Sequence, residues 1–193
     1  MNGPDLSVAV ERAFCDHFGH RRPSRASVSF LGVEPIEVLR FEPTPGERAY
    51  LSLGMSKRPM TAASEIAVGA DGPRAELMLH IRDGSGQYDG VWRQLAVLAA
   101  SPAVEGVVYA PGMTLDLGQP LAPGSRCTGA VVTESALAAI QTPEGTVVVL
   151  QVLPATSTEL AWCRVHGTEA LRERWTTQQI DLLDLARSAV ALV

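Results

Sequence analysis

Apolar residues recur along this chain at two spacings, which predict strands in some stretches and helices in others. The apolar run that is richest in β-branched residues covers Val147 to Leu150 and is carried on, after Gln151, through Val152 and Leu153. A strand needs such an unbroken run when both of its faces are covered. We therefore expect residues 147–153 to form the central strand of a sheet. Pro154 should end this strand, because proline has no N–H to donate to a neighbour.

The residues that follow carry a helix start signal. Thr156 and Glu159 have the spacing of a capping box, in which the threonine hydroxyl and the glutamate carboxylate each accept a backbone N–H. A helix with Leu160 and Cys163 on one side should follow, and Gly167 stands where a left-handed C-cap is expected.

Strict alternation of apolar and polar residues predicts further strands. It is clearest over residues 75–82. There the first set of alternate positions is Ala75, Leu77, Leu79 and Ile81, and the second is Glu76, Met78, His80 and Arg82. The alternation predicts one buried face and one more polar face. Shorter or weaker alternating stretches predict strands at 28–30, 36–42, 49–55, 104–109, 113–117 and 128–133.

Apolar residues at helical spacing predict three more helices. The first covers Leu6 to Phe18 and ends at Gly19; the second follows the turn at 83–86, covers residues 88–98 and is stopped by Pro102. The third covers 177–192. We interpret 20–26 as a solvated connection and 56–72 as a loop with a short strand around Ile66–Val68.

Early strands in hairpin order, followed by strands mixed with helices, predict an α+β (α/β) fold. We expect a mixed, mainly antiparallel sheet covered by helices. A chain of 193 residues is long enough to bury one core, so residues 1–193 are predicted to form a single domain.

Composition narrows the choice of partners. The chain has a net charge of −5, which argues against nucleic acid or an anionic membrane as partner. No apolar run approaches the roughly 20 residues of a membrane-spanning helix, and we see no signal peptide. Three cysteines without close spacing (Cys15, Cys127 and Cys163) favour reduced thiols in a cytoplasmic protein.

Candidate chemical groups are few, and each has a simpler structural interpretation. Cys15, His17 and His20 have metal-ligand types, but no fourth ligand follows, so we favour a core cysteine beside surface histidines. Cys163 and His166 are three residues apart, which fits metal binding, a thiolate pair or, as we favour, a buried thiol near a helix end. We interpret the remaining candidates as structural: His80, the turn 83–86, Arg172 to Arg174, Trp92, Trp162 and Trp175. No catalytic, metal or cofactor site is predicted.

Several segments in a fixed order resemble the Suppressor-of-fused domain family. They are the strand AELMLHIRD, the helix VWRQLAVLA, the loop around Pro111 and Gly112, and the stretch that ends in TSTELAWCRVHGTEAL. The resemblance is clearest over residues 75–187. It implies an α/β fold without catalytic residues that holds another protein.

The resemblance also implies a binding mode. The animal member clamps an extended peptide of a transcription factor between two lobes, pairing with it as a strand. This chain is too short for the second lobe, and Met113 stands where the animal protein has an aspartate facing the peptide. Stand-alone bacterial members resemble immunity proteins that neutralise toxins by direct binding. The alternatives are a regulatory scaffold for an endogenous partner and a small hydrolase or metal-dependent enzyme.

We expect the partner at a sheet edge near Pro111 and Gly112, where the family's peptide cleft would lie. An ordinary sheet margin without a partner is the alternative. The residues predicted to face a partner there are Arg82, Tyr109, Met113, Thr114 and Asp116.

Overall fold

The computed structural model describes residues 5–19, 22–62 and 72–192. The helices in these ranges are α1 (Leu6–Phe18), α2 (Val91–Glu105), α3 (Ser157–His166) and α4 (Thr168–Thr177), with a short 3-10 helix at Met55–Lys57. The strands are β1 (Ser24–Phe30), β2 (Val33–Phe41), β3 (Glu47–Leu53), β4 (Arg74–Arg82), β5 (Thr114–Asp116), β6 (Cys127–Glu134), β7 (Ile140–Thr142) and β8 (Gly145–Thr156).

The strands form one sheet in the order β1, β2, β3, β4, β8, β6, β5, and β7 pairs with β8. Every pair is antiparallel except β4 with β8, which is parallel. The predicted α+β fold with a mixed, mainly antiparallel sheet is therefore confirmed. In the described part of the chain, the outer strands of this order are β1 and β5.

Helices cover both faces of the sheet. On β8, Leu150 and Val152 point to the face covered by α2, because they share a core cluster with Leu95 of that helix. Val149 points the opposite way and packs with α1, and Ala155 packs on the same face with α3 and α4. The period of two along β8 thus divides the core into one layer under α2 and a second layer under the other helices.

The central strand is where the sequence predicted it. Strand β8 lies between β4 and β6, and its residues from 147 to 153 are buried or half-buried except Val148, which is 37% exposed. The prediction that Pro154 ends this strand is wrong. Pro154 pairs with Ala130 of β6, and pairing with β4 has already ended at Gln151. The strand therefore has one neighbour at Pro154, and a missing N–H on its open side is tolerated.

The two faces of β4 differ less than the alternation predicted. Glu76 was expected on the more polar face, yet it is fully buried. Its carboxylate accepts hydrogen bonds from the backbone N–H of Gly54 (2.9 Å) and of Ser56 (3.0 Å), and from the hydroxyls of Ser52 and Ser56. The carboxylate thereby fixes the start of the 3-10 helix after β3, where the sequence had predicted strand as far as Met55.

Pro102 does not stop helix α2, contrary to prediction. The helix continues to Glu105 and ends at Gly106, which has a positive φ of 67°. Residues 104–109 consequently form no strand, and Tyr109 lies in the connection to β5. Proline at residue 102 leaves the carbonyl of Leu98 without its helical N–H donor. The helix tolerates this because the hydroxyl of Tyr109 donates to that carbonyl instead.

The C-terminal helix predicted over 177–192 is also wrong. After α4 the chain runs as turns and irregular backbone past the strand ends. The carbonyl of Leu183 accepts the N–H of Arg82 at 2.8 Å, and the carbonyl of Leu185 accepts the N–H of Arg126 at 2.8 Å. The apolar residues at helical spacing in this segment therefore lie along an irregular path over the strand ends.

Other predicted boundaries are close to the observed ones. The capping box of Thr156 and Glu159 is present. Gly167 ends α3 with a positive φ of 83°, but its ψ of 162° lies outside the left-handed helical region, so the expected left-handed C-cap is wrong. Strand β1 begins at Ser24, inside the predicted connection 20–26. The strand suggested around Ile66–Val68 lies outside the described residues.

Candidate functional site

The candidate site is the β5 edge, defined here as Met113, Thr114, Leu115 and Asp116. A tight turn delivers the chain to it. Met113 donates its N–H to the carbonyl of Ala110 at 3.2 Å, and Gly112 has a φ of 90°. A type II turn requires a positive φ at its third position, which glycine adopts readily, and proline is common at its second position. The sequence Ala-Pro-Gly-Met therefore fixes where the edge begins.

Strand β5 pairs with β6 and with no other described strand. Val132 donates its N–H to the carbonyl of Met113 at 2.8 Å, and Leu117 donates to the carbonyl of Thr128 at 3.0 Å. In an antiparallel pair only alternate residues bond to the partner strand. The N–H and C=O groups of Thr114 and Asp116 therefore point away from β6, and no described residue bonds to these four groups.

The side chains of the β5 edge point to both faces of the sheet. Met113 and Leu115 pack against the core layer under α2. Thr114 and Asp116 point to the opposite face, and the carboxylate of Asp116 accepts a hydrogen bond from Arg164 of α3 at 2.8 Å. This pair is 45% and 60% exposed at its side chains, so it contributes at most about 1 kcal/mol and is easily rearranged.

Tyr109 does not face a partner as predicted, because it is only 4% exposed. Its hydroxyl donates to the carbonyl of Leu98 in α2 at 2.9 Å. That carbonyl would bond to the N–H four residues later, but residue 102 is a proline and has none. Tyr109 thus fills the bond that Pro102 leaves open, and burial raises its pKa to about 12. Its role at the site is to anchor the chain before the turn.

Arg82 is also not part of the β5 edge. It ends β4, and β8 and β6 lie between β4 and β5 in the sheet. Its guanidinium pairs with Asp181 of the C-terminal segment and lies 3.9 Å from the carboxylate of Glu47. Of the five predicted residues, the structure brings together Met113, Thr114 and Asp116.

Gly129 and Arg164 shape this edge and were missed from the sequence. A Cβ at Gly129 would collide with the carbonyl oxygen of Leu115 and with a methyl group of Leu160. The backbone of β5 can therefore lie against β6 only because residue 129 is glycine. A glycine inside the alternating stretch 128–133 was the available signal.

A sequence profile of the family described as "Suppressor of fused protein (SUFU)" matches residues 32–188. The chain belongs to the Suppressor of fused family. The match begins well before residue 75, so it includes β2 and β3, whereas α1 and β1 precede it. No curated protein matches the sequence.

Solved structures support the same fold. A putative Suppressor of fused homolog from Neisseria gonorrhoeae FA 1090 superposes with a TM-score of 0.72 at 16% identity, over 99% of this chain and 100% of that one. The Sufu–Fu complex matches with a TM-score of 0.67 at 15% identity, over 94% of this chain and 86% of that one. Drosophila Suppressor of Fused matches with a TM-score of 0.64 at 15% identity, over 96% of this chain but only 50% of its own.

The cysteines of this Suppressor of fused domain do not carry the features of nucleophiles. Burial raises the pKa of Cys127 to about 11, and it raises the pKa of Cys15 and Cys163 above the ordinary value. All three thiols are therefore protonated at neutral pH, whereas a reactive cysteine needs a lowered pKa. His166 stacks on Trp162 with ring centroids 4.1 Å apart and is exposed, while Cys163 is buried.

The other candidate chemical groups have structural partners. His80 is hydrogen-bonded to Glu47 at 3.0 Å, and Trp175 is buried and donates to Glu159 at 2.9 Å. Within residues 5–19, 22–62 and 72–192, no three His, Cys, Asp or Glu side chains are grouped to hold a metal ion. His20, the third member of the predicted metal cluster, lies outside the described residues. No helix in those same ranges is long and apolar enough to cross a membrane.

Proposed function

We propose that this chain is a non-catalytic protein-binding domain that receives an extended segment of its partner at the β5 edge. The observation that carries the proposal is the outward direction of the N–H and C=O groups of Thr114 and Asp116. A partner strand beside β5 would form main-chain hydrogen bonds with these groups, and neighbouring side chains would provide selectivity.

The β5 edge suits a short partner segment. Met113 has an adaptable thioether side chain, and Arg164 is held only by an exposed ion pair with Asp116. A charged partner side chain would rearrange that pair at little cost. The short length of β5 limits the main-chain contribution to a few hydrogen bonds of about 0.5–1.5 kcal/mol each, so side chains must supply most of the affinity.

The relatives support binding of a protein rather than catalysis. One structural neighbour is a complex of Sufu with Fu, and the stand-alone N. gonorrhoeae homolog is covered along its whole length. We accordingly propose that residues 1–193 act as one cytoplasmic domain. Met113 replaces the aspartate of the animal protein, which favours a different partner segment from the animal one.

Within the protein-binding role, we propose an immunity-type function: the domain neutralises a toxin by binding it directly. A regulatory scaffold for an endogenous partner uses the same surface, and the identity of the partner distinguishes the two. The test of the immunity-type function uses the protein encoded by the neighbouring gene. That protein should arrest growth when expressed alone, and co-expression of this chain should restore growth and give a complex of the two purified proteins.

Thr114→Pro tests the binding mode in that complex. It removes an outward N–H without removing any bond to β6, and its ring would clash with an added strand. Thr114→Val is the matched control, because it keeps the N–H and the β-branched shape. We expect Thr114→Pro to weaken binding at least tenfold by calorimetry with an unchanged melting temperature, and Thr114→Val to bind like the parent.

A second variant changes the side chains instead of the backbone. Met113→Lys together with Asp116→Arg should also abolish binding, and the melting temperature should fall by only a few degrees because Met113 is only partly buried in the core layer under α2. Unchanged affinity in both the proline and the double variant would show that the β5 edge is not the interface. Hydrolysis of a substrate panel, lost on metal removal or on mutation of a described cysteine, would instead favour the enzyme alternative.

A further inference from the structure

A second concave surface lies at the opposite edge of the sheet. It is a cavity of about 200 Å³ between β1 and the beginning of α2. We call it the Tyr50 cavity. Its walls include Ser24, Ala26, Val38, Arg40, Tyr50 and Trp92. Because β1 and β5 are at opposite ends of the strand order, the cavity is separate from the β5 edge.

The cavity exists because β1 carries small side chains at this end. Val28 and Phe30 of β1 pack on the core layer under α2, and Ser24 and Ala26 have the same parity on the strand. Side chains two residues apart lie on one face, so Ser24 and Ala26 also face this layer. They are too short to fill it, which leaves space against Trp92.

Tyr50 lines this cavity, and its hydroxyl is buried without a hydrogen-bond partner in the described part of the chain. Tyr50 is 1% exposed, and no described residue forms a hydrogen bond with its hydroxyl. Buried polar groups without partners are rare and costly in folded proteins, so each requires an explanation. Burial and the nearby Asp83 and Asp89 raise the pKa of Tyr50, and the hydroxyl is therefore a ready donor at neutral pH.

The charges around the cavity are compensated. Arg40 donates to Asp89 at 3.0 Å, and Arg25 forms ion pairs with Glu11 and Glu37. Both arginines are therefore already paired with carboxylates and do not need an anionic ligand. The group of the cavity that lacks a partner among the described residues is the neutral hydroxyl of Tyr50. The chemistry therefore favours an uncharged group that combines apolar area for Val38 and Trp92 with a single polar tip.

The position of the cavity beside β1 indicates which kind of partner would bring such a group to it. Ser24 and Ala26 belong to β1, whose outer edge pairs with no other described strand and contains no proline. A chain lying beside β1 would direct alternate side chains toward the face covered by α2. We propose that the Tyr50 cavity receives a neutral, polar-tipped side chain, such as tyrosine or glutamine, from an extended partner segment paired with β1.

Two small probes test the cavity itself. 4-Methylphenol has the apolar body and the polar tip, whereas toluene lacks the tip. Each is titrated into the parent protein and into Tyr50→Phe, with binding followed by two-dimensional NMR at β1 and Trp92. We expect 4-methylphenol to bind the parent about five- to tenfold more tightly than the variant, and toluene to bind both equally.

Equal binding of 4-methylphenol to both proteins would overturn the proposal, and so would the absence of binding by either probe. A cavity that holds only an ordered water would also overturn the proposal. In that case neither probe binds, and Tyr50→Phe is less stable than the parent. Ala26→Leu, which fills the cavity from the edge strand, provides a second variant and should abolish binding of both probes.

A phage-displayed library of random linear peptides tests the partner segment. Peptides selected on the parent should share a tyrosine, glutamine or similar residue at one position and lose at least tenfold in affinity on Tyr50→Phe and on Ala26→Leu. Selected peptides that bind the parent and both variants equally would refute the site. Thr114→Pro should leave all these affinities unchanged, so failure at the β5 edge and failure here are distinguishable.

Discussion

Replacing Glu159 by alanine should destabilise the whole domain, because this carboxylate is the hub of a buried network. Glu159 is fully buried and accepts two hydrogen bonds from Arg187, at 2.7 Å and 2.9 Å. It also accepts the indole N–H of Trp175 at 2.9 Å and the backbone N–H groups of Thr156 at 2.8 Å and Val190 at 3.0 Å. The network joins α3, α4 and the C-terminal segment.

The size of the effect follows from what the substitution leaves behind. The Arg187 side chain is only 6% exposed, so Glu159→Ala would leave a buried, unpaired cation. Breaking a buried ion pair in this way costs about 3–5 kcal/mol, out of a total stability of roughly 5–15 kcal/mol. With a urea dependence of about 2 kcal/mol per molar, the unfolding midpoint should fall by about 1.5–2.5 M.

Urea unfolding followed by circular dichroism measures this shift. Glu173→Ala on the exposed face of α4 is the control and should change the free energy of unfolding by less than about 0.5 kcal/mol. Hydrogen exchange should show lost protection in residues 178–192 in the Glu159 variant alone. A midpoint within about 0.3 M of the parent would refute the reasoning.

The same carboxylate predicts a pH dependence. Burial raises the pKa of Glu159, but the hydrogen bonds from Arg187, Thr156, Trp175 and Val190 outweigh burial and hold the pKa below its ordinary value. A lowered folded-state pKa gives stability that is present above the unfolded-state pKa of about 4.3 and is lost as the pH falls through the folded-state value. The stability difference between the parent and Glu159→Gln should therefore shrink below about pH 4.

Four further predictions concern the core, the β5 edge and metal content. Val149→Asp should place an unpaired charge on the central strand and cost several kcal/mol; a melting temperature within a few degrees of the parent would contradict the assignment. Gly129→Ala should push β5 away from β6, seen as faster hydrogen exchange at Leu115, whereas Gly118→Ala is strained but meets no neighbour. Tyr109→Phe should cost about 1–3 kcal/mol by leaving the Leu98 carbonyl unpaired, and in a Pro102→Ala background most of that cost should disappear because residue 102 regains its N–H. Elemental analysis of the purified protein should find no bound metal; stoichiometric zinc that is lost in Cys15→Ser would reverse our interpretation of the Cys15 to His20 cluster.

The sequence predicted the elements whose signals are local. The capping box at Thr156 and the central strand around Val149 are present because one hydrogen-bonding motif and one apolar run suffice to specify them. The alternation in β4 was also located correctly, but the burial of Glu76 was not. Whether a polar residue faces solvent depends on which segment covers the strand, and here the start of the 3-10 helix does so.

The wrong prediction of a C-terminal helix concerned backbone groups whose partners are distant in sequence. Residues 177–192 have helical spacing, but Leu183 and Leu185 bond to Arg82 and Arg126 instead. Asp181 accepts the N–H of Leu183 with its own side chain, a turn signal that competes with helix formation. No local pattern could reveal the distant donors.

The candidate site likewise combines features that local sequence signals predicted with features that depend on residues distant in sequence. A sheet edge near Pro111 and Gly112 was predicted from the turn residues and the family resemblance, and β5 is such an edge. The predicted exposure of Tyr109 and the predicted nearness of Arg82 were wrong. Both depended on the strand order of the sheet and on the path of α2. The direction of the outward backbone groups at Thr114 followed only once the pairing with β6 was known.

The contacts that the sequence did not reveal also hold the β5 edge in place. Pro102 leaves a carbonyl open in α2, Tyr109 fills it, and the chain from α2 to the turn is fixed as a result. The type II turn and the close contact at Gly129 then fix β5 itself on β6. A surface held at three points before a partner arrives loses little conformational entropy on binding. Such preorganisation favours recognition of a flexible partner segment, because only the segment has to be ordered.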